Sequence, residues 1–211
     1  HEQGRLDDAV REYQAALRIN PDDAILHLGL ALAYKQQGRL DDAVREYQEA
    51  LRINPDIATV HYGLGEAYRQ QGRVDDAIRE YQAEVRINPK HDMAHNNLGF
   101  LYAEMGQLAD AVQECQTALR ISPENAYAHD SLGYAYWKQG RIDDAIREYQ
   151  VALRIAPNYG EAHFHLSVAH QQQNRLDDAI TEAETALQSG YEPAREFLAK
   201  LTMFQSKVVN W

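Results

Sequence analysis

The stretch GRLDDAVREYQAALRINPD at residues 4–22 returns almost letter for letter as GRLDDAVREYQEALRINPD at residues 38–56. The same phrase begins four more times, each start 34 residues after the last, at Gly72, Gly106, Gly140 and Asn174. A fixed period in this range marks stacked supersecondary units, which bury their apolar faces only against their neighbours. The sequence therefore predicts a repeat protein.

Each copy predicts two helices. In the copy from Gly38, apolar residues recur at steps of three and four, as on one face of an amphipathic helix, at Leu40, Ala43, Val44, Tyr47, Ala50 and Leu51. Pro55 ends this helix, because proline cannot continue one. A second helix is predicted from about Ala58 to Gln70, before Gly72 supplies the left-handed turn. Asn174 replaces this glycine in the last copy as the next-best residue for that conformation.

The residues at equivalent positions of the copies resemble the tetratricopeptide repeat (TPR). The family pattern of a bulky residue, Leu-Gly, Tyr, Ala, an aromatic, Ala and Pro is met by His129, Leu132, Gly133, Tyr136, Ala145, Tyr149, Ala152 and Pro157. The resemblance covers essentially the whole chain. It implies an all-α, right-handed α-solenoid of 34-residue helix-turn-helix repeats, with the first helix of each pair lining a concave groove and the second forming the convex back.

The resemblance also gives the expected boundaries. Residues 1–192 are predicted to be the repeat array, with a half repeat at 1–23 and five repeats starting near residues 24, 58, 92, 126 and 160. Residues 193–211 are predicted to form a C-terminal capping helix and tail, because Phe197, Leu201, Phe204 and Val208 have helical spacing. The helix from about Leu6 to Ile19 lacks a preceding partner, so we expect further repeats upstream. The alternative is a second copy covering that face.

Composition limits the classes of function. Of the 211 residues, 45% are hydrophobic and 25% charged, which is enough to build a core. The net charge of −11 argues against a nucleic-acid partner, because phosphate binding needs clustered Lys and Arg. No apolar run reaches the roughly 18 residues of a membrane span, so we expect a soluble, cytoplasmic chain without direct membrane insertion. Cys115 is the single cysteine, which excludes an internal disulfide.

No catalytic motif is present, and the sequence predicts a protein that is not an enzyme and needs no cofactor. The repeated Asp-Asp pairs are expected to be solvated at helix starts, where the helix dipole favours them. One histidine recurs in each repeat, at His27, His61, His95, His129 and His163. Neighbouring helix axes lie about 8–10 Å apart, too far for these rings to share one metal, so we predict packing roles and no metal site.

Three residues depart from the repeat columns. Glu84 interrupts a column of alanines, and it is expected either to turn outward or to pair with Lys90 or His95. Cys115 replaces a tyrosine and is predicted to be a small buried apolar residue. Ala183 also replaces a tyrosine, and an aromatic of the last helix is expected to fill the space.

Function is expected where the repeats differ. The second helices are nearly identical, whereas the first helices vary. The resemblance implies that the variable groove positions include Leu28, Leu32, Tyr62, Glu66, Arg69, Met93, Asn96, Phe100, Tyr127, Asp130, Tyr134, Trp137 and Phe164. Five of them form a dense aromatic cluster in three adjacent repeats, and aromatic residues often anchor interfaces. The basic carboxylate clamp of chaperone-binding TPR domains is absent.

We therefore predict a non-catalytic module that binds a peptide or helical segment of a partner protein in the groove. Two alternatives remain open. One is an assembly scaffold that self-associates through its repeat ends, in particular through the open N-terminal helix. The other is the targeting arm of a larger enzyme.

Overall fold

The computed structural model describes residues 2–57 and 59–209, with side chains described for residues 4–57 and 59–205. Over these residues the chain forms twelve α-helices and no strand. Their bounds are α1 (Glu2–Ile19), α2 (Ala24–Gln36), α3 (Leu40–Ile53), α4 (Val60–Gln70), α5 (Val74–Ile87), α6 (Asp92–Glu104), α7 (Leu108–Ile121), α8 (Ala126–Lys138), α9 (Ile142–Ile155), α10 (Gly160–Gln172), α11 (Leu176–Gln188) and α12 (Ala194–Val209). The all-α repeat class expected from the sequence is confirmed.

The helices alternate between two kinds. The A helices (α2, α4, α6, α8 and α10) have variable sequences, and the B helices (α3, α5, α7, α9 and α11) carry the repeated phrase. The chain divides into two compact units, residues 1–94 and 95–211. Consecutive helices pack against one another from α1 to α5 in the first unit and from α7 to α12 in the second.

The turns between A and B helices use the left-handed backbone conformation. Gly38 has a φ of 74°, and the amide of Arg39 after it donates to the carbonyl of Tyr34 at 2.9 Å. Asn174 adopts the same conformation, with a φ of 59°. The prediction that asparagine substitutes for glycine in the last copy is confirmed.

Buried tyrosines of the B helices pack against glycines of the A helices. A Cβ on Gly133 would lie 2.6 Å from the Tyr149 ring, and one on Gly65 would lie 2.7 Å from the Tyr81 ring. Both tyrosines are buried. In these two repeats the glycine of the Leu-Gly pair is therefore explained by contact, because a larger residue would collide with the tyrosine ring.

The two tyrosine replacements are accommodated differently. Cys115 is fully buried next to Gly99, as predicted, and burial raises the pKa of its thiol. In the repeat of Ala183, Ser167 occupies the position of the glycine in the Leu-Gly pair. Its hydroxyl donates to the carbonyl of Ala179 at 2.5 Å. Ala183 also packs in a cluster with Leu201, and the α12 aromatic against this cluster is Phe197. The other expected aromatic, Phe204, is 61% exposed.

Glu84 does not turn outward. Its side chain is 1% exposed, and a carboxylate oxygen lies 2.7 Å from Nδ1 of His91. The pairing partner is thus His91 and not Lys90 or His95, because His95 pairs with Glu114 at 2.6 Å. A buried carboxylate next to small helix contacts needs such a partner.

Each histidine of the repeated column pairs with a glutamate 19 residues later, on the B helix of the same repeat. The Nδ1–carboxylate distances are 2.6–2.7 Å for His27–Glu46, His61–Glu80, His95–Glu114, His129–Glu148 and His163–Glu182. The expected packing role is therefore a specific polar contact that joins the two helices of a repeat.

The Asp-Asp pairs also have defined partners. The first aspartate accepts a hydrogen bond from a glutamine of the following repeat, as in Gln71 to Asp41 at 2.8 Å and Gln173 to Asp143 at 2.6 Å. The second aspartate pairs with arginines on its own helix and turn, as Asp42 does with Arg39 and Arg45. The repeated acidic residues therefore hold neighbouring repeats together and stabilise helix starts.

Candidate partner-binding site

In the first unit the predicted groove residues form polar pairs. Glu66 accepts a hydrogen bond from the Tyr81 hydroxyl and lies 3.3 Å from Arg69, so its charge is matched within the unit. The Tyr62 ring centroid lies 4.6 Å from that of His91. The remaining predicted positions are apolar: Leu28 and Met93 are half-buried, and Leu32 is exposed.

In the second unit Tyr134 is the centre of an aromatic cluster on the A helices. Its ring centroid lies 5.6 Å from that of Phe100 on α6, 5.8 Å from Trp137 on α8 and 5.4 Å from His165 on α10. The hydroxyl of Tyr134 donates to the carboxylate of Glu104. Burial and this hydrogen bond both raise the pKa of Tyr134.

Two further aromatic groups adjoin this cluster. Phe164 on α10 lies 5.4 Å from Tyr191 and 5.4 Å from Phe197, in centroid distances. Tyr127, at the start of α8, meets Tyr159 edge-on at 5.0 Å and remains 55% exposed. Edge-on and offset contacts of this kind are favourable beyond the area that they bury.

A cavity of about 220 Å³ opens between α8, α9 and α10. Its lining is mainly aromatic and aliphatic and consists of Tyr134, Trp137, Tyr149, Phe164, His165 and Val168. Ligand pockets in proteins are commonly apolar with a few polar groups at fixed places. A cavity of this volume has room for about one side chain.

His165 and Asp130 supply the polar wall of this region. Asp130 is 3% exposed, and one of its oxygens lies 2.9 Å from Nδ1 of His165. Its other oxygen accepts from the Tyr159 hydroxyl at 3.3 Å. Burial disfavours the protonated ring of His165, but Asp130, followed by Glu161 and Glu104, outweighs it and raises the pKa.

The predicted residues fall into two sets. Phe100, Tyr134, Trp137 and Phe164 are brought together around the cavity. Asn96 is buried, and its amide nitrogen donates to the side-chain oxygen of Asn97 at 3.2 Å. Asp130 is also buried, and its carboxylate contacts His165, which lines the cavity.

Sequence reasoning missed His165 and Tyr159. His165 stands where the other repeats carry the small or polar residues Gly29, Gly63, Asn97 and Ser131. The large ring of His165 at a position with small or polar residues in the other repeats is the sequence feature that could have identified it. Tyr159 lies in the turn before α10, where the repeat pattern makes no prediction.

The side chains that line the cavity are mainly aromatic and aliphatic. Among the described side chains, no three His, Cys, Asp or Glu residues converge on a point that would hold a metal ion. None of the described helices is both long and apolar enough to cross a lipid bilayer. The aromatic cluster and its cavity are suited to holding side chains of another molecule.

Comparison with known families gives the identity of the repeat. A tetratricopeptide repeat model matches residues 28–92, 62–126 and 131–194, and a TPR repeat model matches residues 1–38. The chain belongs to the tetratricopeptide repeat family. TPR repeats are, in general, protein-interaction modules, and the resemblance read from the sequence is confirmed. No curated protein sequence matches this TPR chain significantly.

Several solved structures are similar. YrrB, described as a TPR protein with an unusual peptide-binding site, is 20% identical, with a TM-score of 0.68 over 86% of this chain and 93% of its own. TTC0263 from Thermus thermophilus, a thermophilic TPR protein, is 23% identical, with a TM-score of 0.72 over 86% and 100%. A chain of the APC/C hetero-tetramer Cut9-Hcn1 is 16% identical, with a TM-score of 0.85 over 97% of this chain and 40% of that one. At these identities the likeness shows the fold.

Proposed function

We propose that this TPR chain is a non-catalytic interaction module that binds a peptide or helical segment of a partner protein on the A-helix face of its second unit. The observation that carries the proposal is the aromatic cluster around Tyr134, with the adjoining cavity of about 220 Å³. Aromatic anchors in pockets supply much of the binding energy at protein interfaces. The description of YrrB as having a peptide-binding site is consistent with this use of the fold.

The site in the second unit is favoured over the groove residues of the first. Glu66, Arg69 and Tyr81 already satisfy one another. A partner that used them would have to break these contacts, whereas the cavity beside Trp137 offers apolar surface without such a loss.

The test compares the chain with a Tyr134→Ala/Trp137→Ala variant in affinity capture from native lysate, with retained proteins identified by mass spectrometry. We expect a partner to be lost with the variant, because truncating aromatic anchors costs about 2 kcal/mol or more of binding. Phe204→Ala is the matched control, since it removes an exposed aromatic ring outside the cluster. Circular dichroism establishes that all variants are folded.

Two outcomes would contradict the proposal. One is equal retention of every protein by the chain and the double variant. The other is retention of nothing but copies of the chain itself. The second outcome would favour self-association through α1, where Ala9, Tyr13 and Ala16 are half-buried although their counterparts on α3 are fully buried.

A further inference from the structure

Three carboxylates are linked to the residues of the cavity and its polar wall, Asp130 through His165, Glu104 through Tyr134 and Glu161 through Tyr159. They differ in how far a positive charge or a hydrogen-bond donor of the chain compensates them. Asp130 is held by His165 and by the Tyr159 hydroxyl. Glu104 accepts from Tyr134 and lies 3.8 Å from the Lys138 ammonium. Glu161 lies 3.4 Å from the Tyr159 hydroxyl, and among the described side chains no cation pairs with it. One carboxylate at this site therefore lacks a counter-charge.

Aromatic rings adjoin this unneutralised carboxylate. Tyr159 contacts both Glu161, through its hydroxyl, and Tyr127, through its ring. More than half of Tyr127 remains open to solvent. The faces of aromatic rings attract cations, and a nearby carboxylate of opposite charge adds to that attraction. Through their shared neighbour Tyr159, Glu161 and Tyr127 offer a carboxylate and an exposed ring to an ammonium or guanidinium group.

We infer that the partner segment carries a basic side chain, arginine or lysine, close to an apolar side chain. The apolar side chain enters the cavity beside Trp137, and the basic group lies between Glu161 and the exposed face of Tyr127. This inference rests on the proposed function and specifies the chemistry of its partner. The negative charge of the chain, −11 overall, attracts such a segment at long range.

The first unit provides an internal comparison. Its groove carboxylate, Glu66, already has Arg69 at 3.3 Å and a tyrosine donor. A partner cation gains little there, because the counter-charge is part of the chain. Of these two groove carboxylates, Glu161 is the one without a paired cation among the described side chains.

The inference is tested first by selection. A random peptide library displayed on phage is panned against the immobilised full chain and, in parallel, against the Tyr134→Ala/Trp137→Ala variant. We expect the peptides that depend on the cavity to share an arginine or lysine within a few positions of a large apolar residue. The Glu161→Gln variant removes the charge and keeps the shape of the side chain. We expect that the peptides enriched on this variant no longer share the basic residue. Glu184→Gln is the control, because Glu184 is exposed on α11.

The second step measures the charge directly. Trp137 and Trp211 are the two tryptophans of the chain, so a Trp211→Phe background leaves Trp137 as the single fluorescent reporter beside the cavity. An enriched arginine peptide is titrated next to the same peptide with citrulline, the neutral isostere of arginine. We expect the citrulline peptide to bind about 10-fold more weakly. The difference should shrink as salt rises from about 50 mM to about 500 mM.

The outcomes separate this inference from the proposed function. Cavity-dependent peptides without a basic residue, or equal affinity of the arginine and citrulline peptides, would overturn the inference and leave the proposed function standing. Failure of any peptide to distinguish the chain from the cavity variant would overturn both. The comparison of the two peptides needs no variant of Glu161, so it holds even if Glu161→Gln folds poorly.

Discussion

Glu84 occupies a position that five other copies of the phrase fill with alanine, at Ala16, Ala50, Ala118, Ala152 and Ala186. Its carboxylate is buried and depends on one contact, with His91. A buried ion pair stabilises little compared with apolar residues of the same size, but removing one partner leaves an uncompensated group. The two residues should therefore respond very differently to substitution.

We predict that His91→Ala lowers the free energy of unfolding by about 3 kcal/mol, because it strands the Glu84 carboxylate. Glu84→Ala should be neutral or stabilising, since it restores the alanine of the other repeats. In the Glu84→Ala background, His91→Ala should cost only about 1 kcal/mol, for the lost packing on Tyr62. Urea denaturation of the four proteins measures the coupling. Equal costs of His91→Ala in both backgrounds would show that the pair does not matter.

Sequence reasoning at this scale identified Glu84 as anomalous but named the wrong partner. Lys90 and His95 are both close to Glu84 in the chain, and the observed partner, His91, lies between them. His95 is unavailable because the repeat pattern commits it to Glu114, 19 residues later. The 19-residue histidine–glutamate spacing, read in all five repeats, excludes His95 as the partner of Glu84 and leaves His91 as the nearby histidine.

At the scale of elements, α12 shows how far periodicity carries a prediction. The spacing of Phe197, Leu201 and Phe204 places all three on one helix face, yet Leu201 is buried and Phe204 is exposed. The reason is that α12 reaches the start of α11 before Phe204 can pack against it. Gln205 already donates to Asp177 at 2.7 Å, so Phe204 lies level with the start of α11 and not along its packed body. The assignment of α12 as the cap of the array stays a prediction.

We predict that Leu201→Ala lowers the free energy of unfolding by about 3 kcal/mol, because it opens a cavity in the cluster with Ala179 and Ala183. Phe204→Ser on the same helix should change it by less than about 0.5 kcal/mol. Denaturant unfolding of the two variants provides the comparison. Equal small effects would mean that α12 does not stabilise the array.

At the scale of the whole molecule, the histidine–glutamate contacts of His27, His129 and His163 are expected to make stability depend on pH. In three repeats both ring nitrogens face acceptors: those of His27, His129 and His163 reach a glutamate and a proline carbonyl, the latter at 2.9–3.1 Å. A neutral imidazole has one N–H, so only the protonated ring donates to both. The glutamate hydrogen bonds of His129 and His163 raise their pKa, and at His27 burial opposes the rise but is outweighed by Glu46.

The direction of the pH effect follows from these shifts. A histidine whose pKa is higher in the folded chain than its unfolded value of about 6.5 stabilises fully below that pH. The contribution is lost as pH rises through the raised pKa. We predict a lower melting temperature at about pH 8 than at about pH 6, with less than about 1 kcal/mol from each pair because the pairs are partly screened by solvent. Glu148→Gln/Glu182→Gln should flatten the dependence, and Glu184→Gln should not. An unchanged pH dependence in the double variant would contradict the assignment.

The period of 34 residues predicts a repeat protein, the apolar spacing within each copy predicts helices, and the family resemblance implies the all-α solenoid class. Comparison of equivalent positions predicts the left-handed Asn174 and the buried Cys115, and both are confirmed. The aromatic residues around Tyr134 could also be predicted, because they occupy variable positions on the A helices. The polar wall could not, because the burial of Asp130 and its contact with His165, 35 residues away, depend on how α8 and α10 pack. The sequence shows which positions vary between repeats. Only the packing of the helices shows which charged side chains at these positions have a partner of opposite charge.

The glutamine-to-aspartate contacts between neighbouring repeats have a consequence for how such a chain evolves. Gln71 donates to Asp41, and Gln173 to Asp143, so each of these copies of the phrase carries the acceptor for the copy that follows. An in-frame gene duplication of one repeat would thus deliver a new unit that already fits both neighbours. Array length can change by recombination between near-identical copies without inventing an interface, while the A helices diverge to suit new partners.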